Sequence, residues 1–414
     1  MTRAELDAQR LRRIVVVLAS MYLIMAANGG MLLLVVGLKQ IASDFGWPRS
    51  VPSLAYSLLF VGTGIGGIAM GHWFDRSGVS PVIVVGVIMI GVGALLGSQV
   101  QAPWHLYVIY GLMMGLVGHA AIYGPLVLNI ISWFGERRGF AIGLITAGQG
   151  IGGVVWPLLF RHVNETAGWR ETFFWFGFFM LLTAIPTTFA LRKQPAPISI
   201  PSERSSVTPL TPPRAKIAGL STLGIQVILC MAIVGCCMSM SMPMAHLVSH
   251  ASDVGHSTAR AAEMLAVALL TATVARLTCG TLIVDRFGPL IALLVFSGCQ
   301  ALSLAFYAFS DGLVALYAIS ILFGFGYGGI SMCYPLIVRD QLPATESGRR
   351  LGVVLLFGAL GMALGGWLAG VMFDHSGAYA TAFWIGVVLN VANLLLILFL
   401  IYRQSRYAVA ASPA

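Results

Sequence analysis

The sequence predicts an all-α membrane protein of twelve transmembrane helices built as two six-helix repeats, and three observations predict it. Of 414 residues, 58% are hydrophobic and 9% charged, whereas an ordinary soluble domain is roughly a quarter charged. Uncharged stretches long enough to cross a bilayer, about 20 residues each, recur twelve times. Landmark residues of the first half recur in the second at a nearly constant offset. A soluble chain this apolar would have no polar surface to show to water, which excludes most cytoplasmic enzymes and any disordered chain.

The spans are read in order. The first, at about 14–38, lies between Arg13 and Lys39; it is too long for a cleavable signal peptide and lacks a small-residue cleavage site. The second and third, at about 51–72 and 81–100, flank Asp75 and Arg76. The fourth, about 105–132, ends at Trp133, and the fifth, about 139–160, opens after Arg137 and Arg138 and stops at Arg161. The sixth, about 169–191, stops at Arg192. The remaining six are read at about 218–248, 262–284, 289–309, 312–337, 351–373 and 381–402, with Asp285, Arg339 and Arg403 closing the eighth, tenth and twelfth. A β-barrel would show alternating ten-residue segments instead.

Charge sets the orientation. The net charge of +9 could suggest nucleic-acid binding, but Lys and Arg collect in the cytoplasmic loops of membrane proteins. With the N-terminus inside, the outer loops carry only Lys39, Arg49, Arg161, Arg170 and Arg260. Every other basic residue except Arg276 falls in a tail or an inner loop. Both termini are therefore expected in the cytoplasm, in the plasma (inner) membrane, with no nucleic-acid partner. The six cysteines all fall within spans. Adjacent Cys236 and Cys237 read as small packing residues, and no metal or cofactor site is predicted.

The stretch 192–217 is rich in Pro and Ser and reads as a cytoplasmic linker. It divides an N-terminal half, 1–191, from a C-terminal half, 218–414. Asp75-Arg76-Ser77-Gly78 recurs as Asp285-Arg286-Phe287-Gly288, and Pro125 as Pro335, both 210 residues on. Thr172, Phe174 and Trp175 recur as Thr381, Phe383 and Trp384 at an offset of 209, and an Arg-Arg pair opens spans five and eleven. Several matches in register point to a duplicated six-helix unit, and transporters of this kind place their substrate between such repeats near the bilayer midplane.

Twelve spans as six plus six, a central linker and Gly71-x-x-x-Asp75-Arg76-x-Gly78 between spans two and three resemble the major facilitator superfamily, over essentially the whole chain. The resemblance implies a cytoplasmic conformational latch, here Gly71, Asp75, Arg76, Gly78, Glu136 and Arg137, with Asp285 and Arg286 as the second copy. That copy has Gly280 five residues before Asp285 rather than four. Tyr123-Gly124-Pro125, Arg137-Arg138-Gly139 and Ala275-Arg276-x-x-x-Gly280 are similar to segments of monocarboxylate transporters and of the neighbouring oxalate/formate antiporters.

Arg276 lies nine residues before Asp285, roughly 13 Å into the membrane at about 1.5 Å per residue. A charge at that depth costs about 3 kcal/mol on insertion scales and ordinarily faces a polar cavity. All fifteen acidic residues fall in tails, loops or span ends, so a substrate anion is expected as the counter-ion, gripped bidentately. Oxalate-type antiporters carry a second cation in span eleven; here that span has none, which favours lactate-, pyruvate- or acetate-like monoanions. Tyr123, Tyr327, Asn28 and Gln149 sit at similar depth and are the other substrate-binding candidates. Asn28 is alternatively the mark of a helix break at Asn28-Gly29-Gly30.

The family resemblance also implies an Asp four residues before the span-eight Arg and a Lys in span one. Here those places hold Ala272 and the apolar Met31 and Leu32. Proton coupling, if present, must use other groups, and His119, His246 and His250 are the candidates. The function expected is secondary transport of small monocarboxylates by proton symport, with a single chain as the functional unit, lipid as its surroundings, and a small organic anion and a proton as its partners. Carboxylate exchange without proton coupling and a non-transporting acid sensor are the alternatives. An enzyme is not expected, since no nucleophile–base pair or metal cluster stands out. Two GxGxxG matches, starting at Gly62 and Gly324, lie inside spans rather than after strands, and read as helix-contact glycines, as do Gly361, Gly365, Gly366 and Gly370.

Overall fold

The computed structural model describes residues 3–134, 138–191, 219–343 and 347–410. Apolar segments in a bilayer must satisfy every backbone N–H and C=O within the segment, and these residues do so as twelve membrane-length helices. They are α1 (Arg3–Phe45), α2 (Ser50–Ser77), α3 (Val79–Gly97), α4 (103–134), α5 (Arg138–Thr166), α6 (Trp169–Leu191), α7 (Thr222–Asp253), α8 (258–287), α9 (Pro289–Tyr307), α10 (Leu313–Gln341), α11 (Ser347–Ser376) and α12 (Ala380–Ala410). No β-strand occurs among the described residues. The proposed linker 192–217 lies outside them.

Twelve crossings place both chain ends on one face, called here the terminal face; the opposite face is the distal face. The duplication is visible in the turns. Six of the seven glycines with positive φ form three pairs, each 209 or 210 residues apart: Gly46 and Gly255, Gly78 and Gly288, Gly168 and Gly377. Each pair turns the chain at the same place in its repeat. The latch glycine Gly78 (φ 79°, ψ −177°) and its counterpart Gly288 (φ 93°, ψ 158°) occupy a positive-φ, extended region that is essentially reserved for glycine.

Close helix contacts rest on glycine. A Cβ on Gly66 of α2 would overlap the carbonyl oxygen of Leu116 in α4, and one on Gly324 or Gly328 of α10 would overlap that of Ala268 or Ala272 in α8. Helix α11 has two such faces. Gly361 and Gly365 seat it on Val234 and Met238 of α7, whereas Gly366 and Gly370 seat it on Tyr56 and Ser53 of α2. The GxGxxG segments are therefore helix-packing sites. The alternative reading of Asn28-Gly29-Gly30 as a helix break does not hold, because α1 is continuous through it. There a Cβ on Gly29 would meet Phe176 and Trp156, and one on Gly30 would meet Ile90, so the two glycines serve packing and leave no carbonyl to be rescued.

The helices of the two repeats meet along α2–α11 and α5–α8. On the distal face the contact is polar. Asp253 at the end of α7 takes a two-pronged ion pair from Arg49, with Nη2 at 2.8 Å, and one from Lys39 at 2.8 Å. The carboxylate of Asp374 in α11 accepts from the backbone N–H groups of Arg49 (2.7 Å) and Ser50 (2.9 Å), the first turn of α2. Such groups have no partner within their own helix, and an acid there is favoured by the helix dipole. Arg161 of α5 pairs with Glu263 of α8 at 3.3 Å. These bonds close the distal face.

Candidate functional site

Below the distal contacts, a cavity of about 360 Å³ lies between α4, α5, α8 and α10. Its walls include Tyr123, Thr146, Gln149, Thr273, Arg276 and Ser331. It reaches toward the terminal face, where a Cβ on Gly143 would touch nothing within 4 Å. Just beyond it on the distal side, α5 and α8 close tightly: a Cβ on Gly150 would overlap Thr273, and one on Gly153 would lie 2.8 Å from Leu269.

Arg276 stands in this wall. One guanidinium nitrogen donates to Gln149 Oε1 at 3.4 Å, and the group lies 5.1 Å from the ring centroid of Tyr327, a cation–π distance. Its Nε is buried without a hydrogen-bond partner. No Asp or Glu lines the cavity, and among the described residues Arg276 forms no ion pair. Asn28 of α1 donates to the backbone carbonyl of Gln149 at 3.3 Å, fixing the stretch of α5 that presents the Gln149 amide. Of the five substrate-binding candidates, Arg276, Gln149 and Tyr123 line one cavity, Tyr327 lies against the guanidinium without lining it, and Asn28 reaches the backbone of Gln149.

Three polar cavity residues were not expected. Thr146, Thr273 and Ser331 donate their hydroxyl protons to their own helices, to Gly143 (3.0 Å), Leu269 (2.9 Å) and Gly328 (2.8 Å), leaving oxygen lone pairs toward the cavity. Their signal in sequence is faint, because a Ser or Thr in a span satisfies itself in this way wherever it points. Ala272 is 2% exposed and its carbonyl abuts Gly328, so this position belongs to the α8–α10 contact.

The histidines are dispersed. His119, one turn before Tyr123, faces α1: its Nε2 lies 3.5 Å from the Cβ position of Gly30 and is buried without a partner. His246 and His250 lie near the distal face. His246 is fully buried between Tyr379 (3.0 Å) and the carbonyl of Gly366 (2.8 Å). His250 is ringed by Tyr307, Tyr379 and Phe383. Of the latch residues, Gly71, Gly78, Arg76, Asp285 and Arg286 lie at the terminal ends of α2 and α8, with the two arginines exposed. Glu136, Arg137 and the side chain of Asp75 lie outside the described residues.

A family model of the Major Facilitator Superfamily matches residues 18–349, and again 227–414. The chain belongs to the major facilitator superfamily. Its curated relatives include monocarboxylate transporter 13 of Rattus norvegicus, 27% identical over 310 residues, which are 74% of this chain and 70% of that protein. The fujikurins efflux protein of Gibberella fujikuroi is 26% identical over 322 residues, 76% of this chain and 64% of that protein. Among solved structures, a point mutant of the nucleoside transporter NupG superimposes with a TM-score of 0.77 at 12% identity, covering 94% of this chain and 99% of that one. That likeness shows the fold. The superfamily and these relatives are transporters, so the cavity between α5 and α8 lies in a transport protein and not in an enzyme.

Proposed function

We propose that this chain is a secondary carrier of small monocarboxylates, lactate- or pyruvate-like, moved with a proton by alternating access. One observation carries the reading. A permanently charged guanidinium lines a cavity of about 360 Å³, with no carboxylate in the cavity wall and its Nε unpaired. An anionic substrate supplies the missing counter-charge. Its carboxylate pairs with the Arg276 guanidinium, and the Tyr123 hydroxyl and the Gln149 amide hold the remaining oxygen lone pairs. Neutralising the site removes the cost of burying one charge, so the loaded cavity closes more readily than the empty one. The monocarboxylate transporters among the relatives point the same way.

In this reading the six-helix units 1–191 and 218–414 rock about the cavity, joined by the linker 192–217, and a single chain suffices. The distal face is the outside of the plasma (inner) membrane, both termini are cytoplasmic, and the latch residues of α2 and α8 hold the opposite, inward-closed state. The proton acceptor in the N-terminal unit is His119, whose buried Nε2 has no other partner.

Uptake of labelled L-lactate into proteoliposomes tests this. An inward proton gradient driving accumulation into empty vesicles, with the drive lost in His119→Gln, is the expected result. Uptake that ignores the gradient and requires preloaded acid would replace symport by exchange. A second reading is favoured by the cavity itself. Its volume of about 360 Å³ reaches the range of drug-sized ligand sites, roughly 300–1,000 Å³, and a fungal relative is named as an efflux protein for fujikurins. Under that reading a larger organic acid, for example an aromatic carboxylate, competes better than lactate for the same Arg276.

A further inference from the structure

The distal closure contains a hydrogen-bonded chain whose direction is fixed by chemistry. Arg49 can only donate, and its Nη1 lies 2.9 Å from the Tyr379 hydroxyl. The carbonyl of Gly366 can only accept, and it lies 2.8 Å from His246 Nε2, so Nε2 carries a hydrogen. Between them, Tyr379 and His246 Nδ1 are 3.0 Å apart. The single arrangement that serves every group runs Arg49 to Tyr379 to His246 to Gly366, with Nδ1 bare and the imidazole neutral. The four residues come from the α1–α2 turn, the α11–α12 turn, α7 and α11, so the chain joins the two repeats.

We propose that His246 is a proton-binding site on the distal side, and that a proton there is incompatible with the closed distal face. A proton on Nδ1 turns that atom into a donor. The Tyr379 oxygen would then face two donors, and its own hydrogen would have to leave His246 and turn to Ser249. The imidazolium would also share that oxygen with the Arg49 guanidinium. The charged groups that surround His246 offer no relief. On the α1–α2 side are Lys39 and Arg49; Asp253 on α7 is already held by both of them. Asp374 on α11 caps the first turn of α2. The remaining neighbours, Ser53 of α2, Ser249 and His250 of α7 and Tyr379 of the α11–α12 turn, supply no negative charge. The four charges cancel, so the closed interface gains an uncompensated positive charge around a residue that is fully buried. Opening the distal face hydrates the ring, which can then hold the proton. The closed state is thus favoured at high pH and is lost as pH falls. Acid on the distal side holds that side open, ready to load. The inference does not depend on which substrate is carried.

The test uses the full chain in lipid nanodiscs with spin labels at Gln101→Cys and Leu313→Cys, exposed positions at the distal ends of the two repeats. The native cysteines are buried or partly so. The label-to-label distance should lengthen between pH 8 and pH 5, with a tenfold rise in the open-to-closed ratio per pH unit below the midpoint. His246→Gln keeps a donor for Gly366 and an acceptor for Tyr379 but cannot charge, so it should stay closed across the range. His250→Gln should retain the pH response. A wild-type distance that does not change with pH, or a His246→Gln protein that opens in acid as wild type does, would overturn the proposal. Tyr379→Phe, which breaks the chain, should loosen the closed state at every pH; if it leaves closure intact, the chain does not hold the face shut.

Discussion

The Arg276→Ala change removes the positive charge that the cavity presents to an acid. Hydrogen bonds to charged groups are worth about 1.5–3 kcal/mol, so the carrier should lose roughly 10- to 150-fold in apparent affinity, or fail altogether, while inserting and folding normally. Arg276→Lys should recover part of that loss only, since an ammonium cannot make the paired contacts of a guanidinium. Initial rates of counterflow in proteoliposomes measure both. Arg276 was legible in the sequence because a lone cation deep in an apolar span is expensive and demands an explanation. Depth alone then selected Asn28, Gln149, Tyr123 and Tyr327, of which Gln149 and Tyr123 line the cavity. Thr146, Thr273 and Ser331 were not legible, because a self-bonded hydroxyl costs the same on any face of a helix and only helix rotation decides whether it meets the cavity. The latch arginine Arg76 differs again: its motif was plain in sequence, but nothing in the sequence says which helix its side chain touches.

Among the helices, the glycines sort into those that carry contacts and those that do not. Gly328→Ala places a methyl group into the carbonyl of Ala272. Overpacking of this kind costs about 1–3 kcal/mol, and the thermal midpoint in detergent should fall. Gly71→Ala, by contrast, adds a methyl where nothing lies within 4 Å, so the midpoint should not fall; any effect on transport then belongs to the latch and not to packing. The sequence pattern predicted close helix contacts at both GxGxxG segments but could not say which partner each glycine meets. The two faces of α11, one for α7 and one for α2, follow from the 100° step between Gly365 and Gly366. The alternative of a break in α1 shows the limit of the same logic. Asn-Gly-Gly is turn chemistry in water, but in a bilayer a broken helix leaves backbone groups unpaired, and packing against Trp156 and Phe176 uses the same glycines without a break.

Over the whole molecule, the charge asymmetry and the distal network make separate predictions. The basic residues of the tails and inner loops predict that a green fluorescent protein fused at the C-terminus is fluorescent and that alkaline phosphatase fused there is inactive. The duplicated architecture was legible from motif matches 209–210 residues apart, and the paired positive-φ glycines show it in the backbone. The distal closure was not legible. Lys39, Arg49 and Asp253 read as loop and span-end charges, and a pairing across 204 residues depends on the fold that brings α1, α2 and α7 together. Asp253→Asn removes the shared partner of two cations. It should shift the carrier toward the distal-open state, read as faster labelling of a distal cysteine by an impermeant thiol reagent.

The account rests on an anion completing the charge of Arg276, and ligand binding to the purified protein measures this without requiring a transport cycle. Small carboxylates should raise the thermal midpoint of the wild-type protein in a concentration-dependent way, because a ligand that binds only the folded state stabilises it. The corresponding uncharged amides should not. Arg276→Gln, folded to the same extent in the absence of ligand, should show no carboxylate-dependent rise. An equal rise in Arg276→Gln, or an amide as effective as its acid, would contradict the account.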